Sequence, residues 1–277
     1  MFSNGFIHLK ALVPAGVLWA ITLNPVLASQ GFDHQHSQWS DLLKDHVVWV
    51  DDGHASQVDY RGFQADRQAL QNYLEALSGV TSETFDTWTR EQQMAFLINA
   101  YNAFTVELIL TEYPELDSIK ELGSWFQSPW KREFFTLLGE ERHLDWVEHE
   151  VLRPQYRDPF IHVGVNCASI GCPALRDEAF VATRLEEQLQ DSWRRFLTDD
   201  SRNRYNLERQ RLEVSKIFDW FEEDFQRGER GFDSLEDTFA PYAEWLADDP
   251  EHRARIAAGE APVAHLSYDW GLNDLKP

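Results

Sequence analysis

The two cysteines of the chain, Cys167 and Cys172, are the residues best suited to covalent chemistry. Just before them, residues 161–166 alternate apolar residues with other residues at the period of two that is typical of a strand. Gly171 and Pro173 then interrupt regular structure. The sequence therefore predicts a β-strand followed by a loop that carries both thiols, and loops of this kind often hold catalytic groups.

Histidine is the side chain best suited to activate such a thiol, because its ordinary pKa lies close to neutral pH. His162 falls in the predicted strand, and His149 falls in the first turn of a helix predicted to start near Asp145. His265 lies on a predicted C-terminal strand, on the same face as Asp269. The two residues either form an acid–base pair or are simply polar residues of a surface strand. The order of such residues along a chain is not fixed by the chemistry, so all three histidines are candidate bases.

Two asparagines, Asn99 and Asn102, interrupt an apolar helix that is predicted to begin at Arg90. Thr89 and Gln92 have the spacing of a capping box at its start. The asparagines are three residues apart and therefore share a helical face, and a buried amide needs a hydrogen-bond partner. They either orient a catalytic group or hold an oxyanion, or they fix the backbone of neighbouring loops.

A metal site is a weaker hypothesis. Glu148, His149, Glu150 and His162 have suitable ligand types, but the two glutamates flank His149 and point to different faces of the predicted helix. The spacing of the two cysteines is not that of a standard zinc site. We predict neither a metal nor any other cofactor.

The elements that must position these residues alternate between helices and strand hairpins. Hairpins are predicted in residues 48–60, 134–144 and 205–214, and a last strand in residues 263–270. Helices are predicted to begin near residues 39, 66, 90, 145, 185, 216, 235 and 251. This order favours an α+β fold in which helices pack around an antiparallel sheet.

The first residues have the pattern of a secretory signal. One lysine precedes an apolar run in residues 11–23, and small residues precede a cut after residue 28. We predict a signal peptide in residues 1–28, a single domain in residues 29–277, and a periplasmic or secreted location. No later apolar run approaches the ~20 residues of a membrane helix, so no stable membrane association is expected after cleavage.

The predicted location gives the thiols an alternative role. Disulfides form in exported proteins, and a loop could bring the Cα atoms of Cys167 and Cys172 close enough to form one. Cys167 could also be a small buried packing residue. A disulfide or a packing role would remove the nucleophile, so both compete with a thiol enzyme.

The charge of the chain limits its partners. Asp and Glu number 47 against 25 Lys and Arg, and the formal net charge is −22. Such a surface repels nucleic acid and anionic lipid. The expected ligand is an unidentified small molecule, peptide or glycan.

Four motifs resemble the domain-of-unknown-function 547 (DUF547) family. They are FLINAYNA in residues 96–103, VEHEVLR in residues 147–153, HVGVNCASIGCP in residues 162–173 and SYDWGLN in residues 267–273. The similarity spans about residues 94–273. It implies an uncharacterised domain found in exported bacterial proteins and in plant multidomain proteins, distantly similar to papain-like or transglutaminase-like thiol enzymes.

The resemblance places His149, His162, Asn166 and Cys167 on motif positions. It implies that Cys167 is the functional thiol and that Cys172, which varies, is not essential, which weakens the disulfide alternative. An aromatic residue is usual where this chain has a histidine at position 265. The order of histidine before cysteine differs from that of papain-like enzymes and implies a permuted arrangement.

Two functions follow from these observations. The first is a thiol-dependent hydrolase or acyltransferase acting on an amide or ester, with Cys167 as nucleophile and His149 or His162 as base. The residues predicted to orient the base or to hold an oxyanion are Asn99, Asn102 and Asn166. The second is a non-catalytic exported binding module in which both cysteines are structural.

Overall fold

The computed structural model describes residues 1–2, 31–124 and 126–276. The signal peptide predicted for residues 1–28 therefore lies, apart from its first two residues, outside the described residues. Phe32–Pro277 form one compact unit. In the described part of the chain no helix is long and apolar enough to cross a membrane.

Helices make up most of the regular structure. The α-helices in the described residues are α1 (Ser37–His46), α2 (Tyr60–Ala65), α3 (Arg67–Ser78), α4 (Ser82–Phe85), α5 (Arg90–Leu110), α6 (Ile161–Gly164), α7 (Leu185–Leu197), α8 (Ile217–Trp220), α9 (Leu235–Phe239), α10 (Ala243–Leu246) and α11 (Pro250–Ala257). A wider π-type helix spans Trp146–Tyr156. Such helices are rare and often occur at functional sites.

The strands form three small sheets within the described residues. They are β1 (Val47–Val50), β2 (Ala55–Val58), β3 (Phe135–Leu137), β4 (Glu140–Arg142), β5 (Arg204–Asn206), β6 (Arg211–Val214) and β7 (Val263–His265). The pairs β1–β2, β3–β4 and β5–β6 are antiparallel, and β7 adds to β6 in parallel, with Val263 opposite Leu212. The predicted α+β class is confirmed, although the strands do not form one sheet.

Helix α5 is the centre of the core. Thr89 and Gln92 close the predicted capping box, and the helix is buried on all sides, with 16 of its 21 residues inaccessible. Apolar side chains such as Phe96 and Ile98 are fully buried. A helix that is apolar all round can only be stable inside a protein, so its sequence dictates its place.

The strand predicted just before the cysteines is wrong, because residues 161–164 form α6. Asp158 starts the helix: its side chain accepts the N–H of Phe160 at 2.9 Å and its carbonyl accepts the N–H of Ile161 at 3.1 Å. All four residues of α6 are buried. In a segment that is buried on every side, alternation of residue types does not distinguish a strand from a helix.

Candidate functional site

A cleft of about 190 Å³ opens beside the cysteine loop. The residues that line it are Tyr101, Trp130, Asp145, Glu148, His149, His162, Val165, Cys167, Cys172, Pro173, Ile217, Trp220, Phe221, Tyr268 and Trp270. We call Cys167, Ser169, Cys172 and Tyr268 the thiol cluster. We call Glu148, His149 and His162 the histidine cluster. Three predicted catalytic residues, Cys167, His149 and His162, therefore face one cavity.

Asparagine side chains hold the cysteine loop in place. Asn102 donates to the carbonyl of Gly164 at 2.9 Å and accepts the N–H of Asn166 at 2.8 Å. Asn166 in turn donates to the carbonyl of Pro173 at 2.8 Å and accepts the N–H of Ala168 at 2.9 Å. Two buried amides thus fix both ends of the loop, each with its nitrogen as donor and its oxygen as acceptor.

Asn99 does not reach the cleft. Its amide pairs in both directions with the backbone of Phe180, donating at 2.7 Å and accepting at 3.0 Å. The amide nitrogens of Asn99, Asn102 and Asn166 each donate to a backbone carbonyl, and none of these three residues lines the cleft. The structure thus favours the alternative in which these amides orient loops.

The residue after the first cysteine has a strained backbone. Ala168 has a φ of 62°, in the left-handed region that costs a non-glycine residue ~1 kcal/mol or more. The hydrogen bond from its N–H to the Asn166 side chain helps to hold it there. Strain of this kind concentrates at functional sites, and here it presents Cys167 at a sharp corner of the chain.

Both cysteines are free thiols, joined by hydrogen bonds. The Cys172 Sγ accepts the backbone N–H of Cys167 at 3.0 Å. The Tyr268 hydroxyl lies 3.2 Å from each sulfur and 2.8 Å from the Ser169 Oγ. The Ser169 Oγ also lies 3.1 Å from the Cys167 Sγ. Four polar groups therefore share protons within one cluster.

The hydrogen bonds and burial of the thiol cluster shift the pKa values of the two cysteines in opposite directions. The hydrogen bond with Cys172, together with burial, raises the pKa of Cys167 well above its ordinary value. Burial acts in the same direction on Cys172, but hydrogen bonds from Cys167, Tyr268 and Ser169 outweigh it and lower the pKa of Cys172 to about 6. The pair thus favours a proton on Cys167 and a negative charge on Cys172.

His162 is buried and oriented by a carboxylate. Its Nε2 lies 2.7 Å from the Asp224 Oδ2, and its Nδ1 lies 3.9 Å from the Glu148 Oε1. Burial opposes the ionised form of Asp224, but hydrogen bonds from His162 and Arg153 hold the pKa of Asp224 well below its usual range. Asp224 therefore accepts the Nε2–H, and Nδ1 keeps its lone pair. Burial lowers the pKa of His162, so the ring is neutral at pH 7.

His149 is more accessible and has the opposite tautomer. Its side chain is 35% exposed, and its Nδ1 lies 2.8 Å from the Arg153 Nη1. A guanidinium can only donate, so Nδ1 accepts and the proton is on Nε2, which lies 3.7 Å from the Asp145 Oδ1. His149 therefore has no basic lone pair free in this arrangement.

Glu148 contributes a buried carboxyl group to the same cavity. Burial raises the pKa of Glu148, and the Tyr101 hydroxyl, which bonds to it, only partly offsets this. A carboxyl with a raised pKa inside a cleft is a common feature of catalytic sites. In the described residues, however, no group of three or more His, Cys, Asp or Glu side chains could hold a metal ion.

Aromatic side chains form the outer part of the cleft. Trp220 is 41% exposed and stacks on Trp270, with ring centroids 5.5 Å apart. Trp130 meets Trp270 edge-on at 5.8 Å, and the Lys120 ammonium lies 4.6 Å from the centre of the Trp270 ring. Such exposed ring faces can bind flat apolar surfaces of a ligand.

Residues 85–197 match the DUF547 family. The family is described only as proteins of unknown function, and the resemblance inferred from the motifs is confirmed over this segment. The DUF547 match contains both cysteines, His149, His162 and the three asparagines, whereas Asp224 and Tyr268 lie beyond it. No curated protein and no solved structure matches the chain significantly, so a papain-like relationship of this DUF547 segment remains a prediction.

Sequence reasoning missed several residues of the site. Asp224 and Phe221 lie in a segment with no motif, and the sequence indicates no role for Glu148 except that of a metal ligand. Tyr268 stood inside the fourth DUF547-like motif, which was the one available signal. The pair of His265 with Asp269 is not formed, because the strand ends at His265 and the His265 Nδ1 instead faces the Asp219 Oδ1 at 3.7 Å.

Proposed function

We propose that the chain is a thiol-dependent hydrolase or acyltransferase that acts on an amide or ester, with Cys167 as nucleophile. The observation that supports this most is the presence of a free thiol pair, an oriented neutral histidine and a buried carboxyl in one cleft. The exported location inferred from residues 1–28 is part of the same proposal.

His162 is the better candidate for the base. Its Nδ1 has a free lone pair, and Asp224 holds the other nitrogen, the arrangement that orients a base in thiol and serine hydrolases. His149 presents an N–H instead. Among the described residues no hydrogen bond joins either imidazole to a sulfur, so proton transfer requires one bridging water or movement when substrate binds.

The proposed reaction has two steps. Cys167 attacks the carbonyl carbon, and its proton passes to Cys172 and then to the departing amine or alcohol, so that a thioester bond forms as the C–N or C–O bond breaks. In the second step the His162 Nδ1 takes a proton from water or from another acceptor nucleophile. The deprotonated nucleophile attacks the thioester carbonyl, and the C–S bond breaks. The proton then passes from His162 to the Cys167 sulfur. Tyr268 is a positioning residue whose hydroxyl bonds to both sulfurs and donates its proton to the Cys172 Sγ, where the negative charge lies.

The test is acylation of the reduced protein by p-nitrophenyl acetate, followed by intact and peptide mass spectrometry. We expect one equivalent of p-nitrophenol in a burst and an acetyl group on Cys167. Cys167→Ser should lower the burst rate at least ~100-fold, whereas the matched variant Cys172→Ser should still be acylated at residue 167. An acetyl group confined to Cys172, or no burst in the wild type, would contradict the proposal.

The aromatic side of the cleft favours a second candidate, a non-catalytic exported module that binds a peptide or glycan. Trp220 and Trp270 offer a stacking surface next to the thiols. This candidate predicts that both thiols stay unacylated and react with iodoacetamide only above about pH 8. Alkylation of either thiol well below that pH would count against purely structural cysteines.

A further inference from the structure

A second open pocket, of about 370 Å³, lies on the sheet formed by β5, β6 and β7. Its lining is almost entirely polar, unlike that of the thiol cleft. The residues that line it are Arg204, Asn206, Glu208, Arg209, Arg211, Glu213, His265, Leu266 and Ser267. None of them takes part in the function proposed above.

Three arginines of this pocket converge on a single carboxylate. The Glu213 oxygens bind the Arg204 Nη2 at 3.1 Å, the Arg211 Nη2 at 2.9 Å and the Arg209 Nη1 at 3.4 Å. The Glu213 side chain is only 6% exposed, whereas that of Arg209 is 63% exposed. Even with Glu208 counted, three guanidiniums face two carboxylates, so positive charge remains in a chain whose net charge is −22.

His265 adds an unused hydrogen-bonding atom. Its Nε2 is buried and has no partner within the described part of the chain, while its Nδ1 lies 3.7 Å from the Asp219 Oδ1. Buried polar atoms are nearly always hydrogen-bonded, so an orphaned imidazole nitrogen beside a pocket indicates a missing partner. The Ser267 side chain also lines the pocket and can supply a hydroxyl donor.

We propose that this pocket binds a small multivalent oxyanion of the phosphate or sulfate class. Guanidinium groups bind such anions through paired, charge-assisted hydrogen bonds. A tetrahedral anion has enough oxygens to accept hydrogen bonds from both Arg209 and Arg211 on their solvent side. Glu213 binds the same two guanidiniums on their protein side.

The test measures binding of inorganic phosphate to the whole protein by isothermal titration calorimetry, with chloride at equal ionic strength as the reference. We expect saturable phosphate binding, and a melting temperature that rises with phosphate beyond any effect of chloride. Arg209→Gln should weaken the affinity about tenfold, because it removes one charge-assisted contact. Arg209 is largely exposed, so its loss should leave the fold intact.

Arg157→Gln is the matched control, since Arg157 is 51% exposed and pairs with Glu229 at 3.1 Å outside the pocket. It should bind phosphate like the wild type. Equal effects of phosphate and chloride on the wild type, or equal losses of affinity in the two arginine variants, would overturn the proposed site. Both measurements are independent of whether Cys167 is acylated.

Discussion

The thiol cluster and the histidine cluster line the same cleft but control their protons by different means. Cys167 and Cys172 are surrounded by uncharged donors, the hydroxyls of Tyr268 and Ser169 and a backbone N–H. His162 is instead fixed by the carboxylate of Asp224. The charge on the sulfurs therefore depends on where shared protons lie, whereas the imidazole of His162 is kept neutral by burial and oriented by a fixed carboxylate.

We expect the largest effect on stability and turnover from Asp224→Asn, which removes the ionic partner of the histidine cluster. Asp224 is 2% exposed and binds His162, the Arg153 Nε at 2.6 Å and the Arg227 Nη1 at 3.0 Å. Breaking a buried ionic cluster of this kind costs ~3–5 kcal/mol in the free energy of unfolding. Because the base that cleaves the thioester also loses its orientation, steady-state turnover should fall about 100-fold. Urea unfolding and p-nitrophenol release measure the two quantities.

Asp191→Asn is the control that distinguishes a loss of folding stability from a loss of catalytic turnover. Asp191 binds Arg176, Arg194 and Arg195, does not line the cleft, and should affect unfolding without affecting turnover once the protein is folded. If Asp224→Asn lost stability but kept wild-type turnover, the ionic partner would not orient the base, and the contrast between the two clusters would lose its functional meaning.

We expect an intermediate effect, on thiol reactivity, from Tyr268→Phe in the thiol cluster. The change removes the hydroxyl that lies 3.2 Å from both sulfurs and donates to the Cys172 Sγ, and it keeps the ring that packs against Trp220 at 4.8 Å. Loss of a hydrogen bond to a charged group should raise the pKa of the thiol pair and slow alkylation by iodoacetamide at pH 7 about tenfold. The pH dependence of the alkylation rate, with peptide mapping, is the measurement.

Tyr242→Phe removes a hydroxyl outside the cleft, where Tyr242 packs on Trp245 at 4.7 Å, and should leave the alkylation profile unchanged. A purely structural role for Tyr268 predicts lower thermal stability with the same profile. That result would show that neutral donors do not set the charge on the sulfurs.

The smallest effect is expected from Glu148→Gln, and it depends on pH. Burial raises the pKa of Glu148 above its ordinary value of 4.5. Above pH 4.5 the unfolded chain releases this proton while the folded chain keeps it, so wild-type stability falls as pH rises towards the folded pKa. The glutamine variant lacks this term, and its melting temperature relative to wild type should rise from pH 4.5 to pH 8.

Glu150→Gln is the control for that measurement, because it removes an exposed carboxylate from the same π-type helix. A relative melting temperature of Glu148→Gln that stays constant with pH would mean that Glu148 is ionised in the folded protein. The histidine cluster would then hold a full negative charge beside the Nδ1 of His162.

Local signals in the sequence were enough for much of the fold. The capping box at Thr89 and the hairpin predicted in residues 48–60 depend on residues that are close together along the chain, and both structures form. The turn that Asp158 starts was missed, because a uniformly buried segment has no polar face to reveal its period.

The site was only partly predictable, for a different reason. Cys167, His149 and His162 could be chosen by residue type, but their partners are distant along the chain. Asp224 is 62 residues from His162, and Tyr268 is 101 residues from Cys167. No spacing rule connects such residues, because tertiary packing alone brings them together.

Phe221 lies against both imidazoles. Its ring centre is 4.1 Å from that of His162, at an interplanar angle of 21°, but 5.9 Å from that of His149. The circulating π electrons of a nearby, nearly parallel ring shield the protons that lie above it. In a proton NMR spectrum the ring protons of His162 would therefore be displaced upfield more strongly than those of His149, so each histidine of the unaltered protein could be titrated through its own signal.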